Sequence, residues 1–139
     1  MSPRPGSRTQ PCTREQARVR LHQAEAALEV AELILDEDDL AMPGMAASLA
    51  VISGIAACDA ACCARLGKRP RREAHIQAAE VLETVSPGGK EMAKDLRRLV
   101  HRRLGDSQYG MSFVSRTDAQ SMVGWARRLI GLATKAVEA

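Results

Sequence analysis

Aromatic residues are almost absent from this chain, since Trp125, Tyr109 and Phe113 are the only three among 139 residues. Sheets depend on aromatic and β-branched side chains, whereas the apolar residues here are mostly Ala, Leu, Val and Met. The net charge is only +3, and glycine and proline occur at ordinary frequency, which argues against a long disordered chain and a collagen-like repeat. We therefore predict an all-α protein with a single core.

The chain also begins without a hydrophobic leader. Residues 1–12 hold three prolines and two arginines but no apolar run, which a secretory signal requires. We therefore expect a cytoplasmic protein whose four cysteines are reduced thiols. These cysteines are Cys12, Cys58, Cys62 and Cys63. The proline-rich start is predicted to form a disordered tail over residues 1–12, followed by one helical domain over residues 13–139.

Charge is missing from one long segment. The nineteen residues from Leu40 to Cys58 carry no charged side chain, so the segment is long enough to be tested as a membrane span. Much of it is Ala, Ser and Gly, with Pro43 near its start, and small residues gain little from lipid. We favour a central helix that its neighbours bury, and we expect no membrane contact.

Apolar spacing predicts five helices. The clearest early pattern is a stripe at alternating steps of four and three, formed by Ala17, Leu21, Ala24, Leu28, Ala31 and Leu35. Pro43 suits the first turn of the second helix, Gly67 its end, and Thr117 with Gln120 a capping box at the start of the fifth. The predicted helices span residues 13–37, 43–66, 73–85, 92–104 and 117–137. We expect a five-helix antiparallel up-and-down bundle.

Charge is unevenly distributed despite the small net value. Residues 21–64 hold eight acidic and no basic side chains, whereas residues 65–103 hold eleven basic and five acidic ones. On the predicted fourth helix, basic side chains form one stripe of Lys90, Lys94, Arg97 and His101. Such a stripe can bind phosphates of RNA or a nucleotide. Because no aromatic residues interleave with it, we favour a solvated surface or contact with the acidic side of a second copy.

Asp59 is the only charged residue between Asp39 and Arg65, inside the most apolar predicted helix. A buried carboxylate is costly unless a hydrogen-bond donor or a cation meets it. We expect its partner to be an arginine near the end of the fourth helix or the hydroxyl of Tyr109. A structural tether is favoured over a catalytic acid or base, because buried polar pairs more often fix packing.

Two of the cysteines suggest a metal site, which we weigh against a simpler role. Cys58 and Cys62 lie four apart on one helix face, and His22 or His75 would have to complete a thiolate site. We favour small apolar side chains packed in an alanine-rich helix. The sequence has no glycine-rich phosphate loop, serine nucleophile elbow or His-Glu metal helix, so no metal and no cofactor are expected.

The segment after the fourth helix carries a family resemblance. Residues 102–110 read Arg-Arg-Leu-Gly-Asp-Ser-Gln-Tyr-Gly, followed by Ser115 and an alanine-rich last helix over 117–137. This arrangement resembles the HEPN domain, a small bacterial all-α family. The resemblance implies a homodimer whose fourth helices meet in a cleft and, in active members, metal-independent RNA cleavage by an arginine and a following histidine. In toxin members it also implies a minimal nucleotidyltransferase as protein partner, which adenylylates a tyrosine.

The sequence departs from that pattern at the histidine, where it has Ser107, while Tyr109 stands at the position of the family's tyrosine. A hydroxyl without an adjacent base does not replace imidazole in proton transfer near neutral pH. The leading hypothesis is therefore a non-catalytic, HEPN-like dimeric module whose polar cleft binds a nucleotide or RNA. The residues expected to line this cleft are Asp59, Arg98, Arg102, Arg103, Ser107 and Tyr109.

Two alternative functions remain open at this point. One is a metal-independent endoribonuclease of toxin type, in which His101, the residue before Arg102, supplies the imidazole. The other is a purely structural helical protein whose charge segregation serves self-association.

Overall fold

The architecture is a helical bundle with a small two-stranded ribbon beside it. The computed structural model describes residues 8–71, 77–107 and 114–139, with side chains except at residues 103–107. In these ranges the strands are β1 (Thr9–Pro11) and β2 (Lys68–Pro70), and the helices are α1 (Arg14–Ile34), α2 (Met42–Leu66), α3 (Ala78–Leu82), α4 (Gly89–Ser107) and α5 (Arg116–Glu138). The predicted all-α class is confirmed.

Helices α1 and α2 form a long antiparallel hairpin. A capping box begins α1, because the Thr13 hydroxyl accepts from the Gln16 N–H and the Gln16 side chain accepts from the Thr13 N–H. Farther along, the Ser53 hydroxyl donates to the Ala24 carbonyl at 2.8 Å. Alanines dominate the facing sides of both helices, so the backbones pack closely.

Helix α2 is the centre of the bundle. Pro43 occupies its first turn, and Gly67, with a φ of 69°, ends it in the left-handed conformation that glycine adopts without strain. The helix is long and apolar enough to span a membrane, but 78% of its most apolar window is buried inside the fold. It is thus a core helix, as its sequence predicts.

The core lies where α2 meets α4 and α5. Its largest fully buried side chains are aliphatic or thioether groups, including Leu82, Met92, Leu96, Leu99, Met122 and Leu129. Gly54 allows α4 to approach α2, since a Cβ atom at this position would lie 2.6 Å from Leu99 Cδ1. Close contact between the helices therefore fills the core in the place of large aromatic side chains.

The last three helices have boundaries that differ from the predictions. Helix α4 begins at Gly89, before the predicted Met92, directly after the turn at Gly88. Helix α5 is capped by Ser115, whose hydroxyl accepts from the Asp118 N–H, so the predicted cap at Thr117 is wrong. Helix α3 spans five residues, and part of the predicted segment 73–85 lies outside the described residues.

The N-terminal segment corrects two predictions. Strand β1 pairs antiparallel with β2, with Thr9 opposite Pro70 and Pro11 opposite Lys68, so the predicted tail does not extend to residue 12. The ribbon carries Cys12 to the end of α2, where it forms a disulfide with Cys63. The prediction of reduced thiols is therefore wrong for this pair, because it rested on the expected compartment, and the sequence does not show that the ribbon brings Cys12 to Cys63.

Candidate interaction surface on α1 and α2

Asp59 anchors the polar end of the α1–α2 hairpin. Its side chain is only 8% exposed, and its Oδ2 atom accepts hydrogen bonds from Arg20 Nη2 at 2.7 Å and from Arg20 Nε at 3.1 Å. Arg69 of β2 adds a third contact, with its Nη1 atom 3.9 Å from the same oxygen. One buried carboxylate thus joins α1, α2 and the ribbon.

These partners differ from the predicted ones. The sequence predicted a cation for Asp59, and a cation is present, but it comes from α1 and β2 and not from the end of α4. The physical reason is the antiparallel pairing of α1 with α2, which sets position 20 opposite position 59 as it sets Ala24 opposite Ser53. Tyr109, the other predicted partner, lies outside the described residues.

A recess of about 630 Å³ opens over this ion pair. Its walls come from α1, α2 and β2, and they are Gln16, Val19, Arg20, Gln23, Ile55, Asp59, Cys63, Arg69 and Pro70. The side chains of Arg20 and Arg69 are about a third exposed here, at 32% and 30%. Two arginines against one carboxylate leave the recess with net positive charge.

Two rows of side chains lead away from the recess along the hairpin. On α1 the row falls at steps of four and three, and it consists of Val19, Gln23, Ala26, Val30 and Leu33. On α2 the steps are three and four, and the row consists of Met45, Ser48, Ile52, Ile55 and Asp59. Both rows contribute to the walls of the recess, so they lie on the same side of the hairpin. We call these ten residues the α1–α2 face.

The α1–α2 face is apolar and open to solvent. Its large hydrophobic side chains are 53% (Val19), 46% (Val30), 70% (Leu33), 51% (Met45) and 52% (Ile52) exposed. Between the recess and Leu33 neither row carries a charged side chain. Five of the six exposed large hydrophobic residues among the described ones belong to this face, with Leu40 as the sixth. They are clustered, whereas isolated exposed apolar residues are scattered over most protein surfaces.

The two ends of the face carry opposite charges. The recess end holds Arg20 and Arg69. The other end adjoins the turn after α1, where residues 36–39 are all acidic and exposed. Arg116 is the cation that the structure places beside this turn, where it donates to the Glu37 carbonyl at 3.0 Å and lies 4.0 Å from Asp38. Electrostatically, the face therefore runs from positive to negative along α1.

Two of the arginines predicted to line a ligand cleft, Arg98 and Arg102, connect α4 to α5. Arg98 lies 3.7 Å from Asp95 and stacks over Trp125, with its guanidinium carbon 5.7 Å from the ring centroid. Arg102 forms an ion pair with Asp118 of α5 at 2.5 Å. His101, its predicted catalytic companion, is exposed on α4. The side chains of Arg103 and Ser107, together with Tyr109, lie outside the described residues, so the predicted cleft stays a prediction.

A second buried carboxylate, Asp95, was not singled out from the sequence. Its side chain is 2% exposed and accepts two hydrogen bonds from Arg128, from Nη2 at 2.6 Å and from Nε at 2.8 Å. The hydrogen bonds to Asp95 raise the pKa of Arg128. Asp95 lies on the apolar side of α4, three residues after Met92 and four before Leu99. This spacing in the sequence could have indicated that Asp95 is buried.

The two free cysteines are enclosed in the core next to the disulfide. Cys58 and Cys62 are buried, and the hydrogen bond between their thiols, together with burial, raises the pKa of Cys58 well above its ordinary value. Cys58 is therefore a protonated thiol at neutral pH. Among the described residues no group of three His, Cys, Asp or Glu side chains is placed to hold a metal ion.

Comparison with protein-family models, with curated proteins and with solved structures gives no match for this chain. The resemblance to the HEPN domain therefore stays a prediction. The exposed row of α1 in the α1–α2 face was not predicted from the sequence, although the spacing of Val19, Val30 and Leu33 was visible. The stripe of α1 that faces the core drew attention first because it is longer and more regular.

Proposed function

We propose that this protein is a non-catalytic interaction module that binds an apolar helical surface on its α1–α2 face. The observation that carries the proposal is the cluster of five large hydrophobic side chains that are about half exposed or more, arranged in two neighbouring rows. Exposing such side chains to water is unfavourable by about 25 cal/mol for each Å² of apolar area. Covering them with a partner recovers that free energy.

The spacing of the rows favours a helix as the binding partner. Each row repeats at steps of three and four, which is the pattern by which helices pack side by side. A partner helix laid along the hairpin would contact the exposed side chains of the two rows and reach the recess at its end. The recess then favours a partner whose helix carries an acidic side chain at that point, because Arg20 and Arg69 lie in its walls.

The hydrogen bonds of Arg20 in the recess favour docking over catalysis. Three nitrogen atoms of Arg20 already donate to neighbouring side chains, two to Asp59 and one to Gln23 at 2.8 Å. A guanidinium committed in this way fixes the packing of α1 on α2, which agrees with the role expected for Asp59. His22 and His101, the histidines among the described residues, do not line the recess.

Four finer expectations from the sequence extend this proposal. They are a HEPN-like arrangement of the bundle, a homodimer, a nucleotide or RNA ligand near the end of α4, and an intracellular location.

The ribonuclease alternative is tested by incubating the protein with total RNA in the presence of a chelator, beside the Arg102→Ala and His101→Ala variants. Cleavage that both substitutions abolish would replace the docking proposal by an enzymatic one.

A labelled peptide tests the docking function. The probe is a synthetic amphipathic helix with a leucine stripe and an aspartate-rich C-terminal end, and its binding is measured by fluorescence anisotropy. We expect Ile52→Glu to weaken binding at least tenfold, about 1.4 kcal/mol, because it sets a charge in the middle of the apolar rows. Ser121→Glu, an exposed position on α5, is the matched control and leaves the affinity unchanged. Equal affinity for both variants, or no binding by a parent chain that sediments as a monomer, contradicts the proposal.

A further inference from the structure

We infer that the occupant of the α1–α2 face is a second copy of this chain, packed antiparallel to the first about a two-fold axis that passes by Ala26 and Ile52. The inference rests on the proposed docking function and names its partner. The chain itself carries the helix that the face is suited to bind, namely an apolar row on α1 followed by the acidic turn at residues 36–39.

The spacing of the two rows is itself symmetric. On α1, Val19 and Leu33 lie equally far from Ala26. On α2, Met45 and Asp59 lie equally far from Ile52. The hydrogen bond between Ser53 and Ala24 sets the two centres beside one another on the hairpin. One axis through both centres therefore superimposes each row on the same row of a second copy, as an isologous interface requires.

Charge selects the direction of that axis. An axis across the helices sets the recess of one copy, with Arg20 and Arg69, against the acidic turn of the other copy. An axis along the helices would instead set the two recesses together and the two acidic turns together. The first arrangement brings opposite charges together twice, and the second brings like charges together twice. We therefore place the axis across the helices.

The size of the face suits a dimer of modest affinity. From Gln16 to Asp39, α1 and the following turn extend roughly 35 Å, and two helices side by side are about 20 Å wide. The product is about 700 Å² per copy, close to the ~800 Å² that each partner contributes to an interface of ordinary size. The centre is apolar and both ends are charged, as in many interfaces of this kind.

Sedimentation velocity of the full chain over a range of concentrations tests the assembly. We expect the parent protein to form a dimer. In Ile52→Glu the dissociation constant of the dimer is expected to be at least tenfold larger, because the axis brings two new carboxylates face to face. Ser121→Glu serves as the matched control and dimerises like the parent. A dimer that Ile52→Glu leaves intact lies elsewhere, for example at the ends of α4, and overturns the inference.

A charge exchange tests the direction of packing. In the inferred dimer, positions 16 and 36 of the two copies are related by the axis near residue 26. Gln16→Glu keeps the capping box of α1, and Asp36→Lys adds a favourable cation after the C-terminal end of α1, so both variants retain the fold. Gln16→Glu alone sets carboxylates against Asp36 at both ends, and Asp36→Lys alone sets ammonium groups against the recess with Arg20 and Arg69 at both ends, so each variant alone weakens the dimer.

Mixing the two variants restores the dimer. The carboxylate that Gln16→Glu introduces in one chain then faces the ammonium group that Asp36→Lys introduces in the other, and the second end has the original pair. Failure of the mixture to exceed either variant alone overturns the antiparallel arrangement. If the chain binds the acidic-ended peptide but sediments as a monomer, the inference that a second copy occupies the face is wrong, and the proposed docking function is retained. A monomer that binds no peptide overturns both.

Discussion

Two buried carboxylates join helices of this protein. Asp59 and Asp95 each lie on the buried side of a helix, and each receives two hydrogen bonds from one arginine of another helix. The sequence showed that Asp59 needed a partner, since it stands alone in a long uncharged segment. It did not show that the partner is Arg20, because nothing local distinguishes that arginine from Arg14 or Arg18.

Removing Arg20 therefore leaves a buried charge without its main partner. We expect Arg20→Ala to lower the free energy of unfolding by about 2 kcal/mol, below the ~3–5 kcal/mol of a fully buried pair, because the Arg20 side chain is 32% exposed. Urea unfolding followed by circular dichroism measures the difference. Arg18→Ala, at an exposed position of the same helix, is the control and changes stability by less than about 0.5 kcal/mol.

The double variant Arg20→Ala/Asp59→Asn provides a check on the cause. If the loss comes from the unpaired carboxylate, removing its charge as well recovers part of the stability. A loss that is the same with and without the charge at position 59 would point to packing of the Arg20 methylene groups instead.

At the scale of elements, the helices were predictable and the ribbon was not. The stripe that begins at Ala17, together with Pro43 and Gly67, placed α1 and α2 within a few residues of their observed bounds. Strand β1 has only three residues, and its partner β2 lies beyond two helices. Short strands paired at such distance leave no period in the sequence, so the segment was predicted to be a tail.

The disulfide fixes that ribbon to α2. Cys12 and Cys63 are 51 positions apart, and closing a loop of this length in the unfolded chain corresponds to about 4 kcal/mol in the chain-entropy model. We expect Cys12→Ser to lower the melting temperature by several degrees, and a reductant to lower that of the parent protein to a similar value. Reductant leaves Cys12→Ser itself unchanged. Identical melting of the oxidised and reduced parent chain would show that the pair does not form.

At the scale of the whole molecule, one helix has two apolar sides. The stripe that includes Ala24 and Leu28 packs in the core, while the row of Val19, Val30 and Leu33 faces solvent. A sequence pattern identifies apolar positions but does not state whether a neighbour in the same chain or in another chain covers them. For this reason the fold class followed from the sequence, whereas the exposure of the second apolar side of α1 required the structure.

Cross-linking gives a direct view of the inferred assembly. Ile52→Cys sets two thiols near the two-fold axis, so mild oxidation is expected to yield a covalent dimer on a non-reducing gel. Ser121→Cys, on α5, is the control and stays largely monomeric under the same conditions. The native free cysteines contribute little, because Cys58 and Cys62 are buried. Equal cross-linking of both variants would indicate random collisions.

Cys63 belongs to two features at once, since its sulfur bonds to Cys12 and its side chain lines the recess. Breaking that bond frees the strand that supports β2, and β2 carries Arg69 into the recess wall. Reduction of the disulfide would therefore change the shape of the recess at one end of the α1–α2 face. Transfer of the chain from an oxidising to a reducing environment would then weaken the binding proposed for the α1–α2 face, so that the redox state of the surroundings would control its association.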